Sequence, residues 1–216
     1  YPAAMAHSDE VEYVLRTIEE RGIRFIRLWF TDVLGFLKAF TITSQELEGA
    51  FAEGMGFDGS SIDGFSRIQE SDMVAVPDPS TFQLIPWKTE AQVARMFCDV
   101  LNPDGSPFAG DPRFVLKKQL KRAADLGYTF YVGPELEYFY FKGVNDRTLL
   151  DSAGYFDQVP DDIGTELRSR TVEALQAMEI SVEAAHHEVA ASQHEIDLKY
   201  ADALKMADQT ITYRYV

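Results

Sequence analysis

The chain has 216 residues, of which 46% are hydrophobic and 25% charged, and its 35 acidic and 20 basic side chains leave a net charge of −15. This composition is typical of a globular protein with one large domain or two small ones. The negative charge excludes nonspecific electrostatic binding to nucleic acid or to anionic membranes, so we expect neither as a partner. Cys98 is the only cysteine; no intrachain disulfide is possible, and a reducing, cytoplasmic location is expected.

The first part of the chain predicts a mixture of helices and strands. Ser8 predicts the N-cap of a helix over 9–20, and a capping box of Thr43 and Glu46 predicts a second helix over 44–53. The predicted strands of this part cover 23–30, 36–42, 73–76, 81–86 and 92–99.

Residues 54–72 are rich in glycine, serine and aspartate and predict a long loop. Gly54, Gly56 and Gly59 match the G-x-G-x-x-G pattern of dinucleotide-binding proteins. That pattern works only between a strand and a following helix, whereas here a predicted helix precedes it and a serine-rich loop follows it. We therefore do not expect a Rossmann-type nucleotide site.

Turn-forming residues over 102–112 predict a domain border. Asp111 predicts the N-cap of a helix that has Pro112 in its first turn. Further strands are predicted over 128–132, 135–142, 181–188 and 194–200, and a further helix is predicted over 161–178. A last helix starts near Asp202 and shows no stop signal at Val216, so we expect the chain to be truncated there.

Two acidic segments are the most informative part of the sequence. The two-residue period of a strand places Glu135 and Glu137 on one face, and the surrounding Leu, Tyr and Phe residues predict a strand that is buried on both faces. Buried carboxylates need compensating cations, and a divalent metal ion is the natural candidate, although charges on a strand usually face solvent.

The second acidic segment is HHEVAASQHEID, over 186–197. Strand alternation groups His186 with Glu188, and Glu195 with Asp197. The H-E-x-x-H pattern of zinc proteases fails here because Ala191 stands where the second histidine belongs. Three of the four histidines lie in this segment, so zinc stays possible, but a carboxylate set favours Mg²⁺ or Mn²⁺.

Together these segments resemble the type I bacterial glutamine synthetases. The resemblance runs over three hallmarks in the order and separation of that family: GFDGSSI at 56–62 with ESD at 70–72, GPELEYF at 133–139, and HHEVAASQHEID at 186–197. It covers about the N-terminal half of such an enzyme. It implies an α+β fold, with a small β-grasp domain over 8–101 and the first part of a catalytic α/β domain over 102–216.

The resemblance also implies an activity: ATP-dependent ligation of ammonia to the γ-carboxylate of L-glutamate through γ-glutamyl phosphate, which gives L-glutamine. ATP is the co-substrate, and two or more Mg²⁺ or Mn²⁺ ions are the cofactors of each site. The family forms a homo-oligomer of two stacked hexameric rings, in which neighbouring subunits share the active sites.

Individual residues match functional positions of the family. Glu137, Glu188 and Glu195 match the ligands of one metal ion, and Glu135 matches a ligand of the second. The remaining matches are Asp58, Ser61, Tyr155 and Glu188 around the ammonium ion, Glu183 and Tyr200 near the nucleotide, and Asp72 as a loop-supporting acid.

Two alternatives stay open at this stage. Some relatives join glutamate to amines or polyamines, and the presence of Asp58, Tyr155 and Glu188 favours ammonia without deciding the matter. A non-catalytic, assembly-forming fragment with solvated carboxylates is the other alternative. The sequence departs from many relatives in the loop between Glu188 and Glu195, where VAASQ lacks the usual Pro-Gly.

Overall fold

The computed structural model describes residues 8–62, 72–88, 92–158 and 163–216. Glu70 and Ser71 of the ESD segment, much of the predicted 54–72 loop, and the first two residues of the predicted 161–178 helix lie outside the described residues. The chain divides into two compact units, Tyr1–Thr129 and Phe130–Val216. Both contain helices and strands, as the α+β prediction requires.

The first unit packs helices against a mixed sheet. Its helices are α1 (Ser8–Arg21), α2 (Leu47–Glu53) and α3 (Pro112–Asp125), and its strands are β1 (Phe25–Thr31), β2 (Leu37–Thr43), β3 (Met55–Asp58), β4 (Asp72–Pro77), β5 (Gln83–Leu84) and β6 (Val93–Leu101). The strands pair in the order β2-β1-β6-β4-β3, and β5 also pairs with β6. Strands β1 and β6 run parallel, while the other neighbours are antiparallel.

The core of this unit lies between the sheet and its first helix. Val14 and Ile18, one turn apart on α1, pack with Ile26 and Leu28 of β1 and with Met96 of β6. The periods of 3.6 residues in the helix and two in the strand place these apolar side chains on facing surfaces. The same periods are the signals that predicted both elements from the sequence.

Helix α3 is joined to the first unit by charged groups. Asp111 caps the helix, since its side chain accepts a hydrogen bond from the Arg113 amide at 3.0 Å. The Arg113 guanidinium contacts Asp78 at 2.6 Å and Asp99 at 2.5 Å. The boundary between the two compact units therefore lies after α3, whereas the predicted domain border lies before this helix.

The second unit holds two helices and several short sheets. Its helices are α4 (Ile163–Ala177) and α5 (Ala203–Tyr215), and its strands are β7 (Tyr131–Val132), β8 (Glu135–Phe139), β9 (Phe141–Gly143), β10 (Asp146–Leu149), β11 (Val182–His187), β12 (Gln193–Leu198) and β13 (Ala201–Asp202). Strands β11, β12 and β8 form an antiparallel sheet with β12 in the middle. One face packs through Ile196 and Leu198 on Leu175 of α4 and Met206 of α5.

Some local predictions are wrong. The side chain of Thr43 makes no capping hydrogen bond, and residues 44–46 form a short 3-10 turn before α2. Residues 55–58 form β3 instead of a loop, because they pair along β4. Strand β8 is not buried on both faces, since Glu135, Glu137 and Phe139 are exposed in the described structure.

No helix within the described residues is long and apolar enough to cross a lipid bilayer.

Candidate active site

The acidic residues of the second unit meet on one face of the β11-β12-β8 sheet. Glu195 in the middle strand lies opposite Glu137 of β8 on one side and opposite His186 of β11 on the other. Asp197 lies opposite Glu135. Directly opposed residues of antiparallel strands project to the same face, so the sheet brings these five side chains together.

His186, Glu188 and Glu195 form the tightest group on this face, with one ligand atom from each lying within 4.8 Å of the others. The two imidazole nitrogens of His186 face different carboxylates: Nδ1 is 3.6 Å from Glu188 Oε1, and Nε2 is 3.6 Å from Glu195 Oε2. Glu195 is buried, whereas His186 and Glu188 are half-buried. This histidine therefore bridges two carboxylates at the border between core and solvent.

Glu135 and Glu137 lie on the same face but are exposed. The side-chain amide of Gln193 donates a hydrogen bond to Glu137 Oε2 at 2.5 Å. That contact fixes one carboxylate oxygen of Glu137 beside β12.

Negative charge is concentrated around Glu195. Burial, then the hydrogen bond and charge of Asp197, and then those of Glu188 raise the pKa of Glu195 to about 8. Asp197 Oδ1 is also buried and has no hydrogen-bond partner among the described residues. Within the described residues, this cluster of carboxylates thus includes a buried oxygen, Asp197 Oδ1, that no hydrogen-bond donor reaches.

These observations fit a bound divalent cation. A cation stabilises the ionised form of neighbouring carboxylates and offers a partner to a buried carboxylate oxygen such as Asp197 Oδ1. Oxygen ligands favour hard ions such as Mg²⁺ and Mn²⁺, and one imidazole is compatible with Mn²⁺. Glu137, Glu188 and Glu195 are the predicted ligands that lie closest to these features.

Tyr155 stands beside this cluster. Its ring stacks on Phe156 at 4.0 Å between centroids, and both rings lie nearly perpendicular to the His186 ring, at centroid distances of 5.6 and 4.8 Å respectively. Because His186 also lies 3.6 Å from Glu188, the structure brings Tyr155 and Glu188 to the same small region.

The two predicted nucleotide residues line one open pocket of about 540 Å³. Glu183 of β11 and Tyr200, which follows β12, contribute to its wall together with Lys199 and Lys205. The Tyr200 ring packs edge-on against Tyr131 at 6.0 Å, which holds an otherwise exposed ring in place. The two ammonium groups can pair with anionic groups of a ligand and the Tyr200 ring offers a flat surface, while the carboxylates of Glu179 and Glu183 balance the charge of the two lysines.

Asp58 and Ser61 lie in the first unit, apart in the chain from these carboxylates. Asp58 ends β3 and is exposed, and its Oδ1 accepts a hydrogen bond from the Ser60 amide at 2.8 Å. Ser61 is exposed in the turn that follows. Asp72, the predicted loop-supporting acid, starts β4 directly opposite Asp58.

A second polar cluster was not predicted as such. Asp151, His187 and His194 lie on the other face of the sheet, where both histidines are buried, and Arg168 of α4 contacts His194. Strand alternation could have placed the histidines on this face, and Arg168 is a charged residue at a core position of a helix. The distant Asp151 carried no signal in the sequence.

Two protein-family models match the chain. The family model described as glutamine synthetase, beta-Grasp domain, matches residues 22–103, and that described as glutamine synthetase, catalytic domain, matches residues 109–216. The first match confirms the predicted β-grasp domain, and the second confirms that part of a catalytic domain follows it.

Curated relatives and solved structures are similar as well. The glutamine synthetase of Mycolicibacterium smegmatis is 59% identical over 95% of this chain and 48% of its own length, and that of Methanosarcina mazei is 49% identical over 95% and 47%. The cryoEM structure of Plasmodium falciparum glutamine synthetase has a TM-score of 0.84 at 26% identity, over 95% of this chain and 47% of its own. The GmaS/ADP complex has a TM-score of 0.80 at 26% identity, over 93% and 47%. The chain thus spans about half the length of the relatives that it matches.

Proposed function

The chain belongs to the glutamine synthetase family, and we propose that the protein containing it ligates ammonia to the γ-carboxylate of L-glutamate at the expense of ATP. In this reaction, the γ-phosphoryl group of ATP is transferred to glutamate, and ammonia then displaces phosphate from γ-glutamyl phosphate to give L-glutamine. The proposal concerns the whole protein, because the chain covers about half the length of its relatives.

The convergence of His186, Glu188 and Glu195 carries this proposal. These side chains come from two strands and the turn between them, and they face Glu137 across the sheet. A solvated acidic surface would leave the carboxylates apart and exposed. Here burial and mutual repulsion raise the pKa of Glu195, so the fold keeps the carboxylates together at a cost in stability. Such a cost is typical of a functional site.

Glu137, Glu188 and Glu195 are proposed to hold one Mg²⁺ or Mn²⁺ ion, and Glu135 to contribute to a second. When bound, these ions would neutralise the negative charge on the phosphate oxygens during phosphoryl transfer. The chain's own contribution is to hold the carboxylates in place before the ions arrive. Gln193 does this for Glu137, and the Val189 amide does it for Glu188 by donating to its Oε2 at 2.9 Å.

The acceptor pocket is proposed to consist of Glu188 and Tyr155, with Asp58 and Ser61 supplied by the loop after β3 of a neighbouring subunit. Ammonium is selected by negative charge in a small pocket, and a carboxylate can accept its proton before ammonia attacks. The face of Tyr155 adds a cation–π surface for the same ion.

Glu183 and Tyr200 are proposed to bind ATP in their shared pocket. Lys199 and Lys205 supply positive charge at its wall, which a chain of net charge −15 needs in order to admit an anionic nucleotide. We further propose an oligomer of two stacked hexameric rings and a cytoplasmic location, on the strength of the family resemblance and the single cysteine.

The test is an ADP-release assay on the full-length protein with Mg²⁺ or Mn²⁺, glutamate, and either ammonium or putrescine. We expect ammonium-dependent ADP release with glutamine as the product. Faster release with putrescine would assign an amine as the acceptor, and no glutamate-dependent release with either would contradict a ligase.

A pair of matched variants links the assay to the site. Glu137→Gln removes one proposed metal ligand, and we expect roughly a hundredfold slower ADP release, as is usual when an electrostatic contact to the reacting group is lost. Glu166→Gln makes the same change at an exposed glutamate of α4 that pairs only with Arg170 in the described contacts, and its rate should match the wild type.

A further inference from the structure

The inner face of the β11-β12-β8 sheet carries a buried polar network centred on Asp151. Its Oδ1 is 2.8 Å from His187 Nε2 and accepts the Ser192 amide at 3.1 Å, and its Oδ2 is 3.2 Å from His194 Nε2. Both histidines and Ser192 are buried. One carboxylate from a loop therefore joins the ends of β11 and β12.

The positions of the protons in this network follow from the groups that face each ring nitrogen. Arg168 can only donate, so it donates to Nδ1 of His194, and the proton of that ring lies on Nε2, facing Asp151. His187 faces two oxygen acceptors, since its Nδ1 is 2.7 Å from the Glu188 carbonyl and its Nε2 faces Asp151.

Asp151 is therefore surrounded by donors. Burial alone would raise its pKa, but the hydrogen bonds from His187 and from the amides of Ser192 and Ala153 hold the pKa of Asp151 below its usual value. An ionised carboxylate is the one side chain that accepts all of these hydrogen bonds at once.

This network reaches the acceptor pocket by two routes. The first runs through His187, whose ring donates to the backbone carbonyl of Glu188. The second runs along the loop that starts at Asp151, because the Phe156 amide donates to the His187 carbonyl at 3.1 Å and Tyr155 then packs on His186. Both proposed walls of the pocket, Glu188 and Tyr155, are thus tied to one carboxylate.

A metal ion in the Asp151 cluster is the competing interpretation, since two histidines and an aspartate can ligate zinc. A metal ligand needs a free lone pair, however, and the contact with Arg168 places a proton on the His194 nitrogen that faces Asp151. The contacts of 2.8 and 3.2 Å are hydrogen-bond distances between the groups themselves.

We propose that Asp151 is a positioning residue that fixes Tyr155 and Glu188 at the spacing required to bind the acceptor ammonium ion. This inference rests on the proposed glutamine synthetase activity. Asp151 itself contacts neither substrate nor metal; it acts through His187 and through its own loop.

Asp151→Asn in the full-length protein is the test. An asparagine amide presents an NH₂ group to His194 or, if flipped, to His187 and Ser192, so a donor faces a donor in either orientation. We expect the KM for ammonium to rise roughly 10- to 100-fold, the effect usual for residues that orient ligands. The KM for glutamate and ATP should change less than about threefold, whereas the affinity for Mn²⁺ measured by calorimetry should also fall, because Glu188 is a proposed metal ligand as well as a wall of the pocket.

Matched variants separate positioning from simple destabilisation. Asp146→Asn makes the same change at an exposed aspartate of the neighbouring β10, which caps the Thr148 amide, and should leave all constants unchanged. Asp151→Glu retains the charge and both acceptor oxygens, so it should recover part of the ammonium affinity.

The remaining outcomes of this experiment would each exclude the proposal or the function on which it rests. Equal rises in all three KM values, or loss of folding in both Asp151 variants, would show a purely structural residue and overturn the proposal. About one zinc ion per chain in the purified protein, lost in Asp151→Asn, would assign a metal site instead. A wild type without ammonium-dependent ADP release would refute the proposed function, whereas an active wild type with an unchanged ammonium KM in Asp151→Asn would refute only this inference.

Discussion

At the scale of the residue, the carboxylate of Glu195 lowers the stability of the cation-free fold but favours the binding of a cation. It lies in the middle strand of a sheet and is 6% exposed. Glu137 of β8 lies opposite it on one side, and Asp197 of its own strand and Glu188 of the turn after β11 raise its pKa. A glutamine would pack in the same space without a charge. The carboxylate therefore favours binding of a cation at the expense of the stability of the cation-free fold.

Glu195→Gln should separate these two effects. We expect the melting temperature in EDTA to equal or exceed that of the wild type, because a repelled carboxylate is replaced by a neutral group of the same shape. The rise in melting temperature on adding Mn²⁺ should largely disappear, because ligands that bind the native state stabilise it in proportion to their affinity. Differential scanning calorimetry measures both, and Glu166→Gln is the control. An equal drop with and without metal would point to a structural glutamate.

At the scale of the element, the connection from α2 to β3 depends on one glycine. Gly54 has φ of +77°, and a Cβ built on it would lie 2.4 Å from Val74 Cγ1 and 3.2 Å from the Ala75 carbonyl oxygen. The glycine thus allows the end of α2 to pack closely against β4. It sets the start of the strand that ends in Asp58.

Gly54→Ala should lower the free energy of unfolding by about 2–4 kcal/mol, because the left-handed backbone and the clash with a stiff valine act together. Gly56→Ala is the matched control on β3, since a Cβ there meets nothing within 4 Å; it should change stability by less than about 0.5 kcal/mol. Urea unfolding of both variants measures the difference, and equal effects would contradict the packing role of Gly54.

Helix α3 provides a second prediction at this scale. Arg113, with a side chain 7% exposed, pairs with Asp78, which is 14% exposed. Burial would raise the pKa of Asp78, but the charge of Arg113 and hydrogen bonds from Ser80 and Arg113 lower it from its ordinary 3.8. Arg113→Met leaves the poorly exposed Asp78 without its ion-pair partner, while Asp99 retains Lys117. The loss should cost about 3 kcal/mol near neutral pH.

The pH dependence of this cost follows from the sign of the shift. A lowered pKa in the folded state gives stability that is present above pH 3.8 and is lost as the pH falls through the folded value. The difference between wild type and Arg113→Met should therefore shrink in acid. Thermal unfolding across the acidic range measures it, and Arg122→Met, at an exposed site on the same helix, should show no such trend. A constant difference would mean that Arg113 acts by packing alone.

At the scale of the whole molecule, the predicted functional residues fall in two compact units. Asp58 and Ser61 belong to the first unit, whereas the carboxylates of the proposed metal site, Tyr155 and the proposed nucleotide pocket belong to the second. The polar turn after β3 contributes little to the core of its own unit. An active site shared between subunits, as the family resemblance implies, would give this turn a function.

Mixing two inactive variants tests the shared site. Asp58→Ala and Glu188→Ala subunits of the full-length protein, dissociated and reassembled together, should recover roughly a quarter of the wild-type activity, because random assembly combines two intact halves at that frequency. Each variant taken alone through the same procedure is the control. No recovery in mixed oligomers, with mixing verified by mass spectrometry, would indicate a site built within one chain.

The sequence by itself determined the type and order of most elements and which residues share a face on the two acidic strands. Alternation along a strand is a local property of the backbone, so Glu135 and Glu137, or Glu195 and Asp197, could be grouped without knowledge of any partner. The family hallmarks added the expected role of each residue. Helix α3 was likewise fixed locally, since Asp111 and Pro112 satisfy its first turn.

Only the tertiary structure decided which groups meet. Gln193 and Glu137 are 56 positions apart, and His194 and Asp151 are 43 apart, so no local pattern connects them. Burial on β8 was mispredicted for the same reason: apolar composition describes a strand, while exposure depends on what packs against it. The charge crowding at Glu195 and the donor shell of Asp151 arise from pairing between distant strands, because hydrogen bonds and electrostatic repulsion depend on distances in space rather than along the chain.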